Sequence, residues 1–182
     1  LYNREELKRL YEYCNQKNLI LFMDGARLGQ ALLSSDLSWE DCAQFTHTFY
    51  IGGTKNGALL GEALVFNSTR YSEDFDYILK QKGALLAKGR ILGLQFLELF
   101  QDDLYIELAR KAKEYAELIQ EALIKKGIDF LSPTESNQIF PILNHHQIKK
   151  LEEKFEFYVW KNIDENRSAI RLITSWATQE TE

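Results

Sequence analysis

Apolar positions along the chain alternate between helical and strand spacings. Asn3-Arg4-Glu5-Glu6 resembles a capping box, and the apolar residues behind it follow the i, i+3, i+4, i+7 spacing, so a helix is predicted over roughly residues 4–17. The continuous apolar run 19–23 then ends abruptly at Asp24-Gly25-Ala26-Arg27. Such a run is typical of a buried strand in a parallel sheet. Asp24 is therefore predicted at the carboxyl end of a strand, where open α/β sheets bind their ligands.

The same spacings predict the elements that follow. Helices are predicted at 27–33, 39–45 and 72–82, and strands at 46–51 and 63–66. The segment 91–100 is apolar nearly all round, which is typical of a helix buried between layers. A long amphipathic helix should begin at Leu104 and end at Gly127. Strands are expected at 138–143, 155–159 and 169–174, with a helix started by Asn144 between the first two.

These elements predict an α/β fold. Helices and parallel-type strands alternate up to about residue 97, and a smaller α/β unit follows. The chain looks cut at both ends, because Leu1 opens directly at a helix start and the final residues resemble the first turn of a helix.

A glycine-rich loop, 52–61, holds a single lysine, Lys55, between two predicted strands. Glycine lacks a Cβ and tolerates positive φ, so such a loop lets the backbone approach a ligand closely. A partly desolvated lysine held there can present a neutral amine to a carbonyl group, which is Schiff-base chemistry. The alternative is a flexible surface loop with an ordinary solvated lysine.

Asp24 and Arg27 suggest a partner for that chemistry. A carboxylate at the end of a strand can pair with a protonated pyridine nitrogen and keep the ring an electron sink. The alternatives are a turn residue for Asp24, since Asp-Gly is a frequent turn dipeptide, and a solvated helix start for Arg27. Pyridoxal phosphate is the commonest biological carbonyl that would join the two motifs.

Asp24-Gly25-Ala26-Arg27 followed by Gly53-Thr54-Lys55-Asn56-Gly57 resembles the low-specificity threonine aldolases of the β-eliminating lyase superfamily. The resemblance continues through 80–90 and 138–141 to 170–176. It implies a pyridoxal-phosphate enzyme of the aspartate-aminotransferase fold type I. Residues 1–97 would form the C-terminal part of its large, mostly parallel domain, and 98–182 a small C-terminal α/β domain. It also implies a homodimer or homotetramer.

The resemblance assigns a role to each matching residue. Lys55 would bind the cofactor as a Schiff base and move protons, Asp24 would bind the pyridine nitrogen, and Arg27 would help to hold the cofactor. Arg171 matches the arginine that grips the substrate's α-carboxylate, although without the resemblance it reads as an arginine on an exposed strand face. Lys88 lies in a segment that is near the cofactor phosphate in relatives, often that of a neighbouring subunit.

Two departures from the family pattern concern the phosphate. The segment around Lys88 is usually richer in glycine and carries Arg-Gln. The lysine loop usually reads Ser-Lys-Gly rather than Thr-Lys-Asn, which leaves the phosphate-contacting hydroxyl open.

Composition narrows the class of protein further. The 182 residues are 45% hydrophobic and 27% charged, with a net charge of −5, which argues against binding to bulk nucleic acid. No apolar run is long enough to cross a bilayer, so no membrane partner is expected. Cys14 and Cys42 read as small buried hydrophobes in a reducing cytoplasm. No metal site is expected, and solvated or capping roles are favoured for His47, His145 and His146.

The predicted function is cleavage of the Cα–Cβ bond of a β-hydroxy amino acid, such as threonine or allo-threonine, to glycine and acetaldehyde. A β-eliminating lyase or an aminotransferase of the same fold type is the enzymatic alternative, since one fold hosts several reactions. The other alternative is a catalytically incomplete chain that acts only as a structural or association module.

Overall fold

The chain folds as two units, which a computed structural model describes over residues 1–180. The units are Leu1–Leu108 and Ala109–Glu182. The domain boundary predicted after residue 97 stays a prediction.

Up to residue 99, the first unit contains eight α-helices and β-strands. They are α1 (Arg4–Gln16), β1 (Phe22–Met23), α2 (Leu28–Ser34), α3 (Trp39–Gln44), β2 (Thr48–Ile51), β3 (Ala63–Phe66), α4 (Phe75–Gln81) and α5 (Arg90–Leu99). Asn3 and Glu6 form the capping box predicted at the start of α1. Ser38 and Asp41 form the same reciprocal pair at the start of α3.

The three strands of this unit form one sheet in the order β1-β2-β3. β1 and β2 are parallel, with Phe22 opposite Thr48 and Met23 opposite Phe49. β2 and β3 are antiparallel, so the prediction of parallel-type strands throughout is wrong for this pair. The reason is the connection: a parallel return needs a crossover of about a dozen or more residues, usually a helix, whereas the loop 52–62 contains no helix.

The core of the first unit lies against the face of β2 that carries Phe49 and Ile51. Phe49 and Ile51 pack with Leu28, Cys42 and Tyr105. Both cysteines are buried free thiols, as predicted. Burial is the main cause that raises the pKa of Cys42 to about 11, so this thiol stays protonated and packs as a small apolar group.

His47 is buried rather than solvated, which corrects the prediction for this histidine. Its Nδ1 accepts a hydrogen bond from the Leu21 N–H at 2.8 Å, and Nε2 lies 3.0 Å from Asn15 Oδ1. Because Nδ1 is an acceptor, Nε2 carries the proton and donates to the amide oxygen. The ring thus ties the end of α1 to the segment that leads into β1.

Helix α5 is not buried on all sides, which corrects the expectation for 91–100. Leu92, Phe96 and Leu99 face the lysine loop, but Leu94 and Leu97 are 48% and 68% exposed. The spacing i, i+4, i+7 lets one face of the helix pack inward. In the described part of the chain no element covers the opposite face.

The second unit continues from a long helix into an antiparallel sheet. Its elements are α6 (Leu104–Lys125, which starts before the boundary), β4 (Gln138–Ile139), β5 (Ile142–Asn144), α7 (His145–Glu152), β6 (Tyr158–Asn162) and β7 (Arg167–Ile173). β7 pairs with β4, β5 and β6. Leu143, Ile148 and Ile170 form the buried centre of this unit.

Two of the strand predictions in this unit need correction. The strand expected at 138–143 is divided into β4 and β5 at Pro141, which has no N–H to donate to a ladder. The strand expected at 155–159 begins only at Tyr158, and all five of its residues are exposed instead of alternating. β6 pairs with β7 alone among the described strands, so no described strand lies at its other edge.

Two wider properties of residues 1–180 complete the description. None of their helices has both the length and the apolar character that crossing a membrane requires. No three His, Cys, Asp or Glu side chains among them are grouped so that they could hold a metal ion.

Candidate functional site

Two turns of the first unit meet backbone against backbone, and glycine makes this contact possible. A Cβ at Gly25 would lie 1.7 Å from the carbonyl oxygen of Tyr50, and one at Gly52 would lie 2.4 Å from the carbonyl oxygen of Ala26. The Gly52 N–H donates to the Gly25 carbonyl oxygen at 2.9 Å. The turn after β1 is therefore fixed against the start of the lysine loop.

Asp24 lies in the first of these turns and uses one oxygen for both of its hydrogen bonds. Oδ1 accepts from the Ala26 N–H at 2.9 Å and from the Tyr50 hydroxyl. Among the described residues, none donates to Oδ2. The Tyr50 bond is the first cause that holds the pKa of Asp24 below its usual value, followed by the Ala26 bond. The carboxylate is thus ionised at neutral pH, and its second oxygen is left for a ligand.

Lys55 lies on the loop between β2 and β3, which Glu62 closes. The Glu62 carboxylate accepts from the Gly53 N–H with Oε2 and from the Thr54 hydroxyl, at 3.0 Å, with Oε1. Gly57, with φ of +106°, allows the tight turn that follows the lysine. The hydroxyl of Thr54, the residue directly before Lys55, therefore donates to Glu62, so it is already engaged and is not assigned to a phosphate.

The loop is also held from its inner side. Asn56, 2% exposed, donates from Nδ2 to the carbonyl oxygen of Tyr105 at 2.6 Å. The buried Tyr105 hydroxyl donates in turn to the Gly52 carbonyl oxygen at 2.9 Å. Gln95 of α5 accepts from the Leu59 N–H at 2.7 Å and donates to the Leu60 carbonyl oxygen at 3.2 Å. The loop is therefore an ordered, supported element.

The Lys55 side chain itself is exposed, where the sequence analysis expected partial desolvation. The cause is its place at the tip of the turn, which none of the described residues covers. Its positive charge and that of Arg27 both help to lower the pKa of Asp24. The structure thus brings three predicted site residues, Asp24, Arg27 and Lys55, into one electrostatic neighbourhood.

The other two predicted residues lie elsewhere. Lys88 is exposed in the segment before α5, and within residues 1–180 nothing links its side chain to Asp24 or Lys55. Arg171 belongs to the second unit, on β7, with its guanidinium carbon 5.0 Å from the Tyr158 ring centre and 5.1 Å from that of Trp160. Its Nε is buried and has no hydrogen-bond partner among residues 1–180, and the residue lines a cavity of about 1210 Å³ in that unit.

Sequence reasoning missed the residues that support the site: Tyr50, Glu62, Gln95 and Tyr105. Each acts on residues at least eight positions away along the chain, beyond the spacing of a helix cap or a tight turn, so no local pattern indicates it. The only usable signal is the parallel pairing of the 19–23 run with the 46–51 run, which would place Tyr50 beside Asp24.

The chain is similar to known proteins over nearly all of its length. The family model described as beta-eliminating lyase matches residues 1–146. The low specificity L-threonine aldolase of Pseudomonas aeruginosa is 34% identical over 185 residues, which cover 98% of this chain and 51% of that protein.

The chain belongs to the beta-eliminating lyase family.

Two further similarities bear on the fold of this family member. The low specificity L-threonine aldolase of a Pseudomonas species is 30% identical over 187 residues, covering 99% of this chain and 52% of that protein. A Leishmania major threonine aldolase structure superposes with a TM-score of 0.95 at 40% identity, covering 99% of this chain and 53% of that one. The family and the α/β fold predicted from the sequence are thus confirmed. The chain spans about half the length of the curated relatives it matches.

The close backbone contact at Gly25 predicts that a larger residue there destabilises this lyase-family chain. Gly25→Ala should lower the free energy of unfolding by more than about 2 kcal/mol, because the added methyl group meets a backbone oxygen that no rotamer change can move. Urea denaturation of the natural protein, followed by circular dichroism, measures this change.

Gly93→Ala is the matched control for that substitution. A Cβ there meets nothing within 4 Å and lies inside α5, so the change should stabilise the protein by about 0.5–1 kcal/mol. Equal unfolding midpoints for the two variants would contradict the close backbone contact at Gly25.

Proposed function

We propose that this chain carries the lysine and the carboxylate of a pyridoxal-phosphate-dependent lyase that cleaves the Cα–Cβ bond of β-hydroxy amino acids. The proposed substrates are threonine and allo-threonine, and the products are glycine and acetaldehyde. The observation that carries the proposal is the placement of Lys55 and Asp24 in one electrostatic neighbourhood by the contacts at Gly25 and Gly52. The names of the relatives, low specificity L-threonine aldolases, support the choice of reaction.

The residues present suit this cofactor. Lys55 offers an exposed amine on a supported loop, and the Asp24 carboxylate has one oxygen without a hydrogen bond among residues 1–180. Arg27 adds a cation beside them, which suits a ligand that carries a phosphate. When bound, pyridoxal phosphate supplies the electron sink for the bond that breaks.

Each residue has a defined task in this proposal. With pyridoxal phosphate bound, the Lys55 amine would hold the cofactor at its carbonyl carbon until the amine of the substrate takes its place. The released amine would then move the proton that Cα gains after the Cα–Cβ bond has broken. Asp24 holds the proton on the pyridine nitrogen, because its lowered pKa keeps it anionic. Arg27 helps to hold the cofactor. Lys88, whose side chain is exposed, would contact the cofactor phosphate of a neighbouring subunit in a homodimer or homotetramer.

Arg171 is proposed to bind the α-carboxylate of the substrate. A guanidinium is permanently charged and planar, so it can give a carboxylate two parallel hydrogen bonds. The rings of Tyr158 and Trp160 flank this group, and none of the described residues forms a hydrogen bond with its buried Nε. A cytoplasmic location is proposed with this activity, since it suits two free thiols.

The reaction type is tested by its products. With pyridoxal phosphate and L-threonine, the natural protein should release glycine and acetaldehyde in equal amounts, measured by amino-acid analysis and an aldehyde assay. Formation of a keto acid in their place would show β-elimination or transamination and would contradict the aldolase proposal.

Lys55 is predicted to be the residue that bonds to the cofactor. After mixing with pyridoxal phosphate and reduction with borohydride, peptide mass spectrometry should find the label at Lys55 and nowhere else in stoichiometric amount. Lys55→Ala should lose this label and at least about a thousandfold in kcat, because no other amine lies in the loop.

Lys149→Ala supplies the control for that experiment. Lys149 is an exposed lysine of α7, so its removal should leave both the label and the activity unchanged. Labelling spread over many lysines in the natural protein would contradict a dedicated site.

Arg171→Lys should raise KM for threonine by about tenfold or more, since an ammonium group cannot give the bidentate contact. Labelling of Lys55 should not change, because the substitution leaves the cofactor's lysine and carboxylate intact. Arg9→Lys, at an exposed position of α1, is the matched control and should keep the natural KM. An unchanged KM in Arg171→Lys would remove this residue from the substrate site.

A further inference from the structure

We propose that Tyr50 is a positioning residue for Asp24. Its hydroxyl and the Ala26 N–H both donate to Oδ1 of Asp24. The other carboxylate oxygen, Oδ2, would then accept the hydrogen bond from the protonated pyridine nitrogen of the cofactor. This inference rests on the proposed function and deepens it, since it names which carboxylate oxygen does the binding and what holds it there.

The strand register places the two residues side by side. In the parallel pair of β1 and β2, Phe22 is opposite Thr48 and Met23 is opposite Phe49. One residue further along both strands, Asp24 comes beside Tyr50. Paired positions of neighbouring strands project to the same face of a sheet, so the phenol and the carboxylate meet without any special loop geometry.

Tyr50 is held in place by one contact of its ring and one of its backbone. It stacks on Phe22, with ring centres 6.0 Å apart and an angle of 29° between the planes. Its backbone carbonyl oxygen lies against Gly25, where even one methyl group would not fit. The hydroxyl is therefore delivered to Asp24 from a fixed direction, which orients the carboxylate before any ligand arrives.

The protonation states suit this role over the whole neutral range. Burial and then the hydrogen bond to Asp24 raise the pKa of Tyr50 to about 12, so the phenol keeps its proton and remains a donor. A donor to the ionised form of a carboxyl group lowers its pKa, and the Tyr50 bond is the largest such cause at Asp24. Removal of the hydroxyl should consequently raise the pKa of Asp24 and loosen its orientation.

Tyr50→Phe tests the inference, because it removes the hydroxyl and keeps the ring that stacks on Phe22. In the cofactor-free Tyr50→Phe variant, the carboxyl carbon of Asp24, followed by NMR, should titrate at a higher pH than in the cofactor-free natural protein. The affinity for pyridoxal phosphate, followed by its bound absorbance, should fall roughly three- to tenfold. As the pH is lowered, the variant should also lose its affinity for pyridoxal phosphate at a higher pH than the natural protein does, since binding needs the ionised Asp24 carboxylate.

Tyr77→Phe is the matched control, an exposed tyrosine of α4 whose loss of a hydroxyl should change none of these readouts. A second comparison uses Asp24→Asn, which has no charge to position. In that background Tyr50→Phe should cause no further loss of affinity. A further loss would mean that Tyr50 contacts the cofactor directly, which would overturn the positioning role.

The outcomes separate the two proposals. An unchanged Asp24 titration in Tyr50→Phe, with Lys55 still labelled by the borohydride reaction, would overturn the role of Tyr50 alone. Absence of the Lys55 label from the unchanged protein would overturn the proposed function, and the role of Tyr50 toward the cofactor with it. An upward titration shift together with weaker, acid-sensitive binding would support both.

Discussion

The backbone contact between the turn after β1 and the start of the lysine loop determines how Asp24 and Lys55 lie relative to each other. At Gly25 and Gly52 the two segments approach more closely than any residue with a Cβ allows, and one backbone hydrogen bond joins them. Asp24 precedes this contact directly, and Lys55 follows it closely along the chain. If the two turns were further apart, each residue would keep its place on its own segment, but the carboxylate and the amine would be separated. The proposed chemistry needs both groups close together.

The contact would achieve little if the loop beyond it moved freely. Its bonds are distributed along its length: Glu62 holds its first residues, the buried Asn56 holds its middle through Tyr105, and Gln95 holds Leu59 and Leu60. Most of these donors and acceptors are backbone groups of the loop, so they fix its path and leave the Lys55 side chain exposed. The result is an exposed amine on a supported turn, which suits the covalent role proposed for Lys55.

Local signals in the sequence predicted most helices and strands, whereas contacts between distant residues were out of reach. Asn3, Ser38 and Asn144 each begin a helix through bonds three residues away, which a sequence pattern contains. The antiparallel pairing of β3 and the burial of His47 depend on how segments meet after folding. The motifs indicated Asp24 and Lys55, but Tyr50 reaches Asp24 only through strand pairing. Glycines in a loop likewise indicate a turn without showing which backbone they touch.

The order of influences on Asp24 shows which kind of interaction shapes the site. The hydrogen bonds from Tyr50 and Ala26 come before the charges of Lys55 and Arg27 in lowering its pKa. Asp24 and Lys55 are exposed, and charges that face solvent interact weakly because water and salt screen them. Hydrogen bonds of fixed direction lose less in this setting, since they act at contact distance. The fold therefore contributes orientation first and charge second, and a ligand that excluded water from the two side chains would strengthen both.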